Sequence, residues 1–260
     1  MKSKAASAGG TAVLAVLLSV SSGCLGIRHE VSPGSNLRIE PTTDRSPEEK
    51  RIRQFLKEIW SSGFLADSPL IRAEVQNNQY KIYGREKAFA DLGSGRAYYL
   101  RNAAPQDQIL LSKSLLGGLV YSPIKRKVRF KQTDRKIHET LVHELFHDFW
   151  FNILDSSERL AFSAEAELLI RDIELANSKK DRLDFLARAG YSKPDENSFK
   201  AYTGLLIAKR QYGNYMFYRY ECFPVLAAKA FARELIIPRE LRRFYVGLIS
   251  EETLNTSSLR

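Results

Sequence analysis

Thr140-Leu141-Val142-His143-Glu144-Leu145-Phe146-His147-Asp148-Phe149-Trp150 is the stretch on which the reading of this chain turns. Ile137, Leu141, Glu144, Leu145 and Asp148 recur on adjoining turns, and Leu141, Val142, Leu145, Phe146, Phe149 and Trp150 cover nearly every side. That pattern predicts a helix buried in the core. At about 3.6 residues per turn, positions four apart stand one above the other, so His143 and His147 point at one spot. Two imidazoles at that separation suit a tetrahedral metal. Glu144, one residue on, lies at the edge of the same spot, where it can take a proton from a metal-bound water without ligating the metal itself. Buried imidazoles and a buried carboxylate need partners, and a metal ion supplies them. Of the 4 histidines in the chain, His138 lies just before this stretch; its phase turns it elsewhere, as a surface or capping residue. Asp148 is placed to orient a ligand from behind.

Outward from this helix the pattern divides. Beyond Thr133 the helical period persists, with segments over 157–176, 181–189 and 197–209 and a strongly apolar last helix over 216–235. Between Ile71 and Phe130 the runs are short and alternating or apolar: Tyr80 to Tyr83, Ala97 to Leu100, Ile109 to Leu111 and Val128 to Phe130, separated by Gly, Asn, Pro and Asp. Those runs predict a small sheet. Sheet first and helices after predicts an α+β fold with a small sheet in the N-terminal half and a mainly helical C-terminal half. The folded domain should open at Ser46-Pro47-Glu48-Glu49, a Ser cap with Pro at the first helical position, followed by Ile52, Phe55, Leu56 and Ile59 at helical spacing.

The residues before it have another character. Lys2 and Lys4 stand before an apolar run from Ala12 to Val20, which ends in Ser21-Ser22-Gly23-Cys24. This is the pattern of an export signal, too short to span a bilayer, and no later stretch reaches the roughly 18 to 20 apolar residues a membrane helix needs. Ser22 and Gly23 before Cys24 resemble a bacterial lipobox, which implies lipidation of Cys24 and a membrane-anchored lipoprotein at the cell envelope; plain cleavage and a periplasmic or secreted protein is the alternative. The expected organisation is a signal over 1–24, a flexible tether over 25–46, one domain over 47–250 and a disordered tail over 251–260.

The chain has 260 residues, a formal charge of +10, 44% hydrophobic and 27% charged residues, and 2 cysteines. The composition is that of a globular domain, and Cys24 with Cys222 makes no disulfide framework for an exported protein. The positive balance favours anionic partners such as lipid headgroups. Basic clusters at Lys125 to Lys131 and Arg239 to Arg243 read as solvated faces, and export argues against nucleic acid as a partner.

His143-Glu144-Leu145-Phe146-His147, with an expected strand before it at Ile109 to Leu111, resembles the HExxH motif of the zincin metallopeptidases. The likeness implies Zn2+ as cofactor, a zincin-like active-site helix, and a peptide or protein as substrate. The Gly and third His of the metzincin branch are missing, and no His follows His147, so the resemblance points to a carboxylate third ligand, as in gluzincins. Two places supply one. Glu221 is a lone acid in Tyr218-Arg219-Tyr220-Glu221-Cys222-Phe223-Pro224-Val225-Leu226, where an unpartnered carboxylate costs several kcal/mol to bury. This segment is similar to the second helix of lethal-factor-like gluzincins, and Pro238, Phe244 and Tyr245 stand where those relatives have a Pro and an aromatic pair. Glu165 is nearer to a thermolysin-like spacing, but it shares its helix with Glu158, Glu167, Asp172 and Glu174, which a solvated face explains. Gluzincins also add a Tyr or His donor for the oxyanion, and Tyr215 or Tyr218 are the candidates. The expected function is zinc-dependent hydrolysis of peptide bonds at the cell envelope, with Glu144 activating a zinc-bound water. The alternatives are a zinc hydrolase of cell-wall peptide stems and a lipid-anchored binding or structural protein without catalysis.

Overall fold

The structure is a computed structural model, which describes residues 47–83, 97–100, 108–112 and 134–256. The expected signal with Cys24, the tether, the strand over 128–130 and the end of the tail, 257–260, lie outside the described residues.

Helix α1 (Pro47–Ser61) buries Ile52, Phe55 and Ile59, the stripe its spacing predicts. Helix α2 (Pro69–Asn77) falls where alternating runs predict the start of a sheet. Ser68 caps it by accepting the Ile71 N–H, Pro69 opens it, and Ile71 is its buried anchor. Three short strands come next: β1 (Gln79–Tyr83), β2 (Ala97–Leu100) and β3 (Gln108–Ser112), in the order β1-β3-β2, with β1 parallel and β2 antiparallel to β3.

The α+β class is therefore corrected. Most of the described residues are helical, and strands occur only over 79–83, 97–100 and 108–112, so the fold is mainly helical. Strands of four and five residues form only a small patch beside α1 and the next helix, α3 (Asp134–Asn152). They are too few to make a layer, and helix packed on helix makes the core instead.

Helix α3 is buried without interruption from Thr140 to Phe151. After it come α4 (Ser156–Leu175), α5 (Lys179–Ala189) and α6 (Glu196–Tyr212), started by Asp155, Ser178 and Asp195 as side-chain caps. Gly213, with φ +78, ends α6 and lets the chain turn sharply. The single helix expected over 216–235 is broken. A short turn, Asn214–Met216, leads into a π-helical turn, Phe217–Glu221, and only then into α7 (Cys222–Phe231). Pro224 is the local cause: it has no N–H, and its ring collides with the carbonyl four residues earlier.

Helix α7 packs lengthwise on α3. An aromatic cluster locks the pair: Phe223 stacks on Tyr245 at 4.4 Å, and Trp150 and Phe162 each stand 5.2 Å from Phe223. Tyr245 Oη also donates to the Phe223 carbonyl at 2.9 Å. The chain ends in α8 (Arg239–Arg242), a 3-10 turn (Arg243–Tyr245) and α9 (Glu251–Asn255). The last of these falls in the expected tail and buries Leu254. Among the described residues no helix is long and apolar enough to cross a membrane.

Candidate metal centre

Helix α3 sets His143 one turn before His147, and their Nε2 atoms stand 3.0 Å apart. The π-helical turn before α7 ends facing them, so Glu221 Oε2 lies 3.2 Å from His143 Nε2 and 3.5 Å from His147 Nε2. The three are buried, with 5%, 3% and 1% of their surface exposed. Their ligating atoms all lie within 4.8 Å of one another, the one such group among the described residues.

These distances are the ones a tetrahedral zinc site requires. Ligand atoms about 2.0 to 2.1 Å from zinc stand about 3.3 Å apart at the tetrahedral angle. Hydrogen bonding alone does not account for the cluster. Glu221 Oε2 lies within 3.5 Å of both imidazoles, yet it is buried without a hydrogen bond of good geometry. Burial pushes the Glu221 carboxyl up, but the facing imidazoles, His147 foremost and then His143, overcome this and hold it at about 2. Glu221 is thus an anion at neutral pH, and a buried carboxylate between two imidazole rings is a place that fits a cation.

Glu144 is 2% exposed and comes directly after His143 on α3. Asp148, fully buried, accepts from Asn78 Nδ2 and Asn152 Nδ2, each at 2.7 Å. It is thereby fixed between the end of α2 and the end of α3. His147 Nδ1 is buried and has no hydrogen-bond partner among the described residues. His138 points away from the cluster, with Nε2 2.8 Å from Glu58 Oε2 and its ring edge-on to Phe55.

The other candidates are elsewhere. Glu165 Oε1 stands 3.5 Å from Arg243 Nη2, with a third of its side chain exposed, and Glu167 is exposed on the same helix. Tyr215 is 67% exposed and lines an open surface pocket of about 480 Å³ with Tyr218, Glu167 and Lys209. Its ring meets Tyr220, 6.3 Å away, and it stands outside the buried ligand group.

Sequence reasoning missed two parts of this arrangement. Asn78 holds Asp148 across a long stretch of chain, and no local pattern announces such a contact. The π-helical turn before α7 did have a signal, Pro224 three residues after Glu221, since a proline inside an apolar helical run forces the helix to open. In comparisons with known proteins, no family model, curated sequence or solved structure matches this chain, so the functional reading rests on the geometry of its own residues.

Proposed function

We propose that this chain is a zinc-dependent endopeptidase of gluzincin type, which hydrolyses peptide bonds at the cell envelope and is tethered there through an acylated Cys24. One observation carries the reading: two imidazole nitrogens and one carboxylate oxygen meet at 3.0 to 3.5 Å in a buried site. Two His and a Glu form a donor set that zinc uses in hydrolytic sites, where a fourth position stays open.

When bound, the metal supplies Lewis acidity, polarising the scissile carbonyl and making the attacking water easier to deprotonate. Glu144 takes that proton, and it returns a proton to the amine nitrogen as the peptide bond breaks, so the carboxylate is regenerated in each cycle. His143, His147 and Glu221 hold their places because they stand on packed helices. The aromatic cluster around Phe223 fixes α7 against α3, which keeps Glu221 from drifting away from the histidines. Export and anchorage are supported by Lys2 and Lys4 before the apolar run and by Ser22-Gly23-Cys24.

The test uses protein isolated without chelator and supplied with zinc. It should hold about one zinc per chain and cut members of an unbiased peptide library, and both properties should vanish in His143→Ala. Protein that stays metal-free in excess zinc ends the proposal. Release of peptides from purified cell wall, with every library peptide left intact, would move the substrate to that polymer.

A further inference from the structure

Glu221 meets the two histidines on a helix that has been opened by one residue. The Cys222 N–H bonds the Phe217 carbonyl, five residues back. In an α-helix it would bond the Tyr218 carbonyl, four back. The π-helical turn therefore deprives the Tyr218 carbonyl of its helical donor. Tyr218 is half-buried between Phe217 and Glu221, which are 0% and 1% exposed, and its released carbonyl takes a donor from outside the helix.

Ser163 provides it. Its Oγ lies 3.0 Å from the Tyr218 carbonyl oxygen and 2.8 Å from the Arg159 carbonyl oxygen, so one hydroxyl proton serves both. Ser163 is 8% exposed and stands on α4. The first turn of α4 is clamped in turn to the end of α3, because Arg159 Nη1 donates to the Trp150 carbonyl at 3.1 Å. Ser163 thus links the frame of the histidine-bearing helix to the turn that carries Glu221.

The direction of Glu221 depends on that turn. One extra residue rotates every later side chain of the helix by about 100° about its axis. Pro224 forces the helix open, since its ring cannot coexist with an α-helical Tyr220 carbonyl. The proline acts at the Tyr220 carbonyl, however, and does not by itself account for the release of the Tyr218 carbonyl two residues earlier.

We propose that Ser163 is a positioning residue, whose hydrogen bond to the Tyr218 carbonyl locks the π-helical turn that aims Glu221 Oε2 at the Nε2 atoms of His143 and His147. Its consequence for the metal rests on the zinc reading; the lock itself does not. The experiment compares full-length wild type with Ser163→Ala and Ser163→Thr, the second of which keeps the hydroxyl. Amide hydrogen exchange in metal-free protein reads the lock, and competition with a chromogenic chelator reads zinc affinity. Ser163→Ala should speed exchange over 217–223 at least tenfold while exchange in α3 and α6 stays as in wild type. It should also raise the zinc dissociation constant at least tenfold, and Ser163→Thr should restore both. Exchange over 217–223 within twofold of wild type, or faster exchange spread evenly along the chain, overturns the proposal. A wild type that binds no zinc overturns the zinc reading alone, and the exchange contrast still decides the role of Ser163.

Discussion

Replacing Glu221 by Gln keeps the side-chain shape and removes the charge, and the geometry sets how much this should cost. Without metal, the carboxyl is held at about 2 in the fold against an ordinary value of 4.5. Each pH unit of such a difference is worth about 1.4 kcal/mol, so the carboxylate contributes about 3 kcal/mol to folding. The folded-state value is the lower one. The contribution is therefore fully present above pH 4.5 and is lost as pH falls from there through about 2. At neutral pH, Glu221→Gln should lower the melting temperature of metal-free protein by about 6 to 12 °C, taking about 2 to 4 °C per kcal/mol for a domain of this size. The gap to wild type should narrow as the pH is brought below 4.5. With zinc the cost is larger. Structural zinc in zinc-finger peptides binds with about 10 to 16 kcal/mol, and on that scale an equal share for each of three protein ligands is about 3 to 5 kcal/mol, or about a hundredfold to a few thousandfold in affinity. Glu165→Gln removes only a partly exposed partner of Arg243, 3.5 Å away, and should change stability by less than about 1 kcal/mol and zinc affinity not at all. The assay is zinc titration with melting curves, with and without chelator. Zinc retained at wild-type affinity in Glu221→Gln, and lost in Glu165→Gln, would refute the reasoning.

Glu144→Gln leaves the three ligands in place, so zinc content should stay at about one per chain while peptide hydrolysis falls by about a hundredfold or more; unchanged turnover would show that another group is the base. Tyr215 is 67% exposed, and its hydroxyl has no buried position from which to meet an oxyanion, so Tyr215→Phe should lower kcat by less than about threefold. A loss beyond about a hundredfold, with KM unchanged, would restore that role. Cys24→Ser should release the protein from membranes and abolish labelling by a fatty-acid analogue, because among the described residues no helix is long and apolar enough to cross a membrane. Wild-type protein that is unlabelled and freely soluble would point to simple secretion instead.

Much of the local structure is legible in the residues. The first helix opens at Pro47 with its apolar stripe in place, and the apolar girdle of the His143 to His147 stretch reads directly as a buried helix. These properties arise from short-range periodicity, which each segment carries by itself. The fold class does not. Short apolar runs between Ile71 and Phe130 fit strands and helical turns equally well, and their alternation masks the Ser68-Pro69 cap that makes 69–77 a helix. The sequence favours Glu221, a lone acid among apolar residues, over Glu165 on a charged helix, but it does not bring Glu221 to the histidines. Glu165 and Glu221 are both acids within helical segments, and what brings the second to the site is the seating of α7 along α3, the aromatic cluster that fixes it, and a π-helical turn that rotates Glu221 toward the imidazoles. Each segment encodes its own helix through neighbours a turn away, whereas the meeting of His143, His147 and Glu221 depends on contacts between residues far apart in the chain, which only the packed tertiary structure decides.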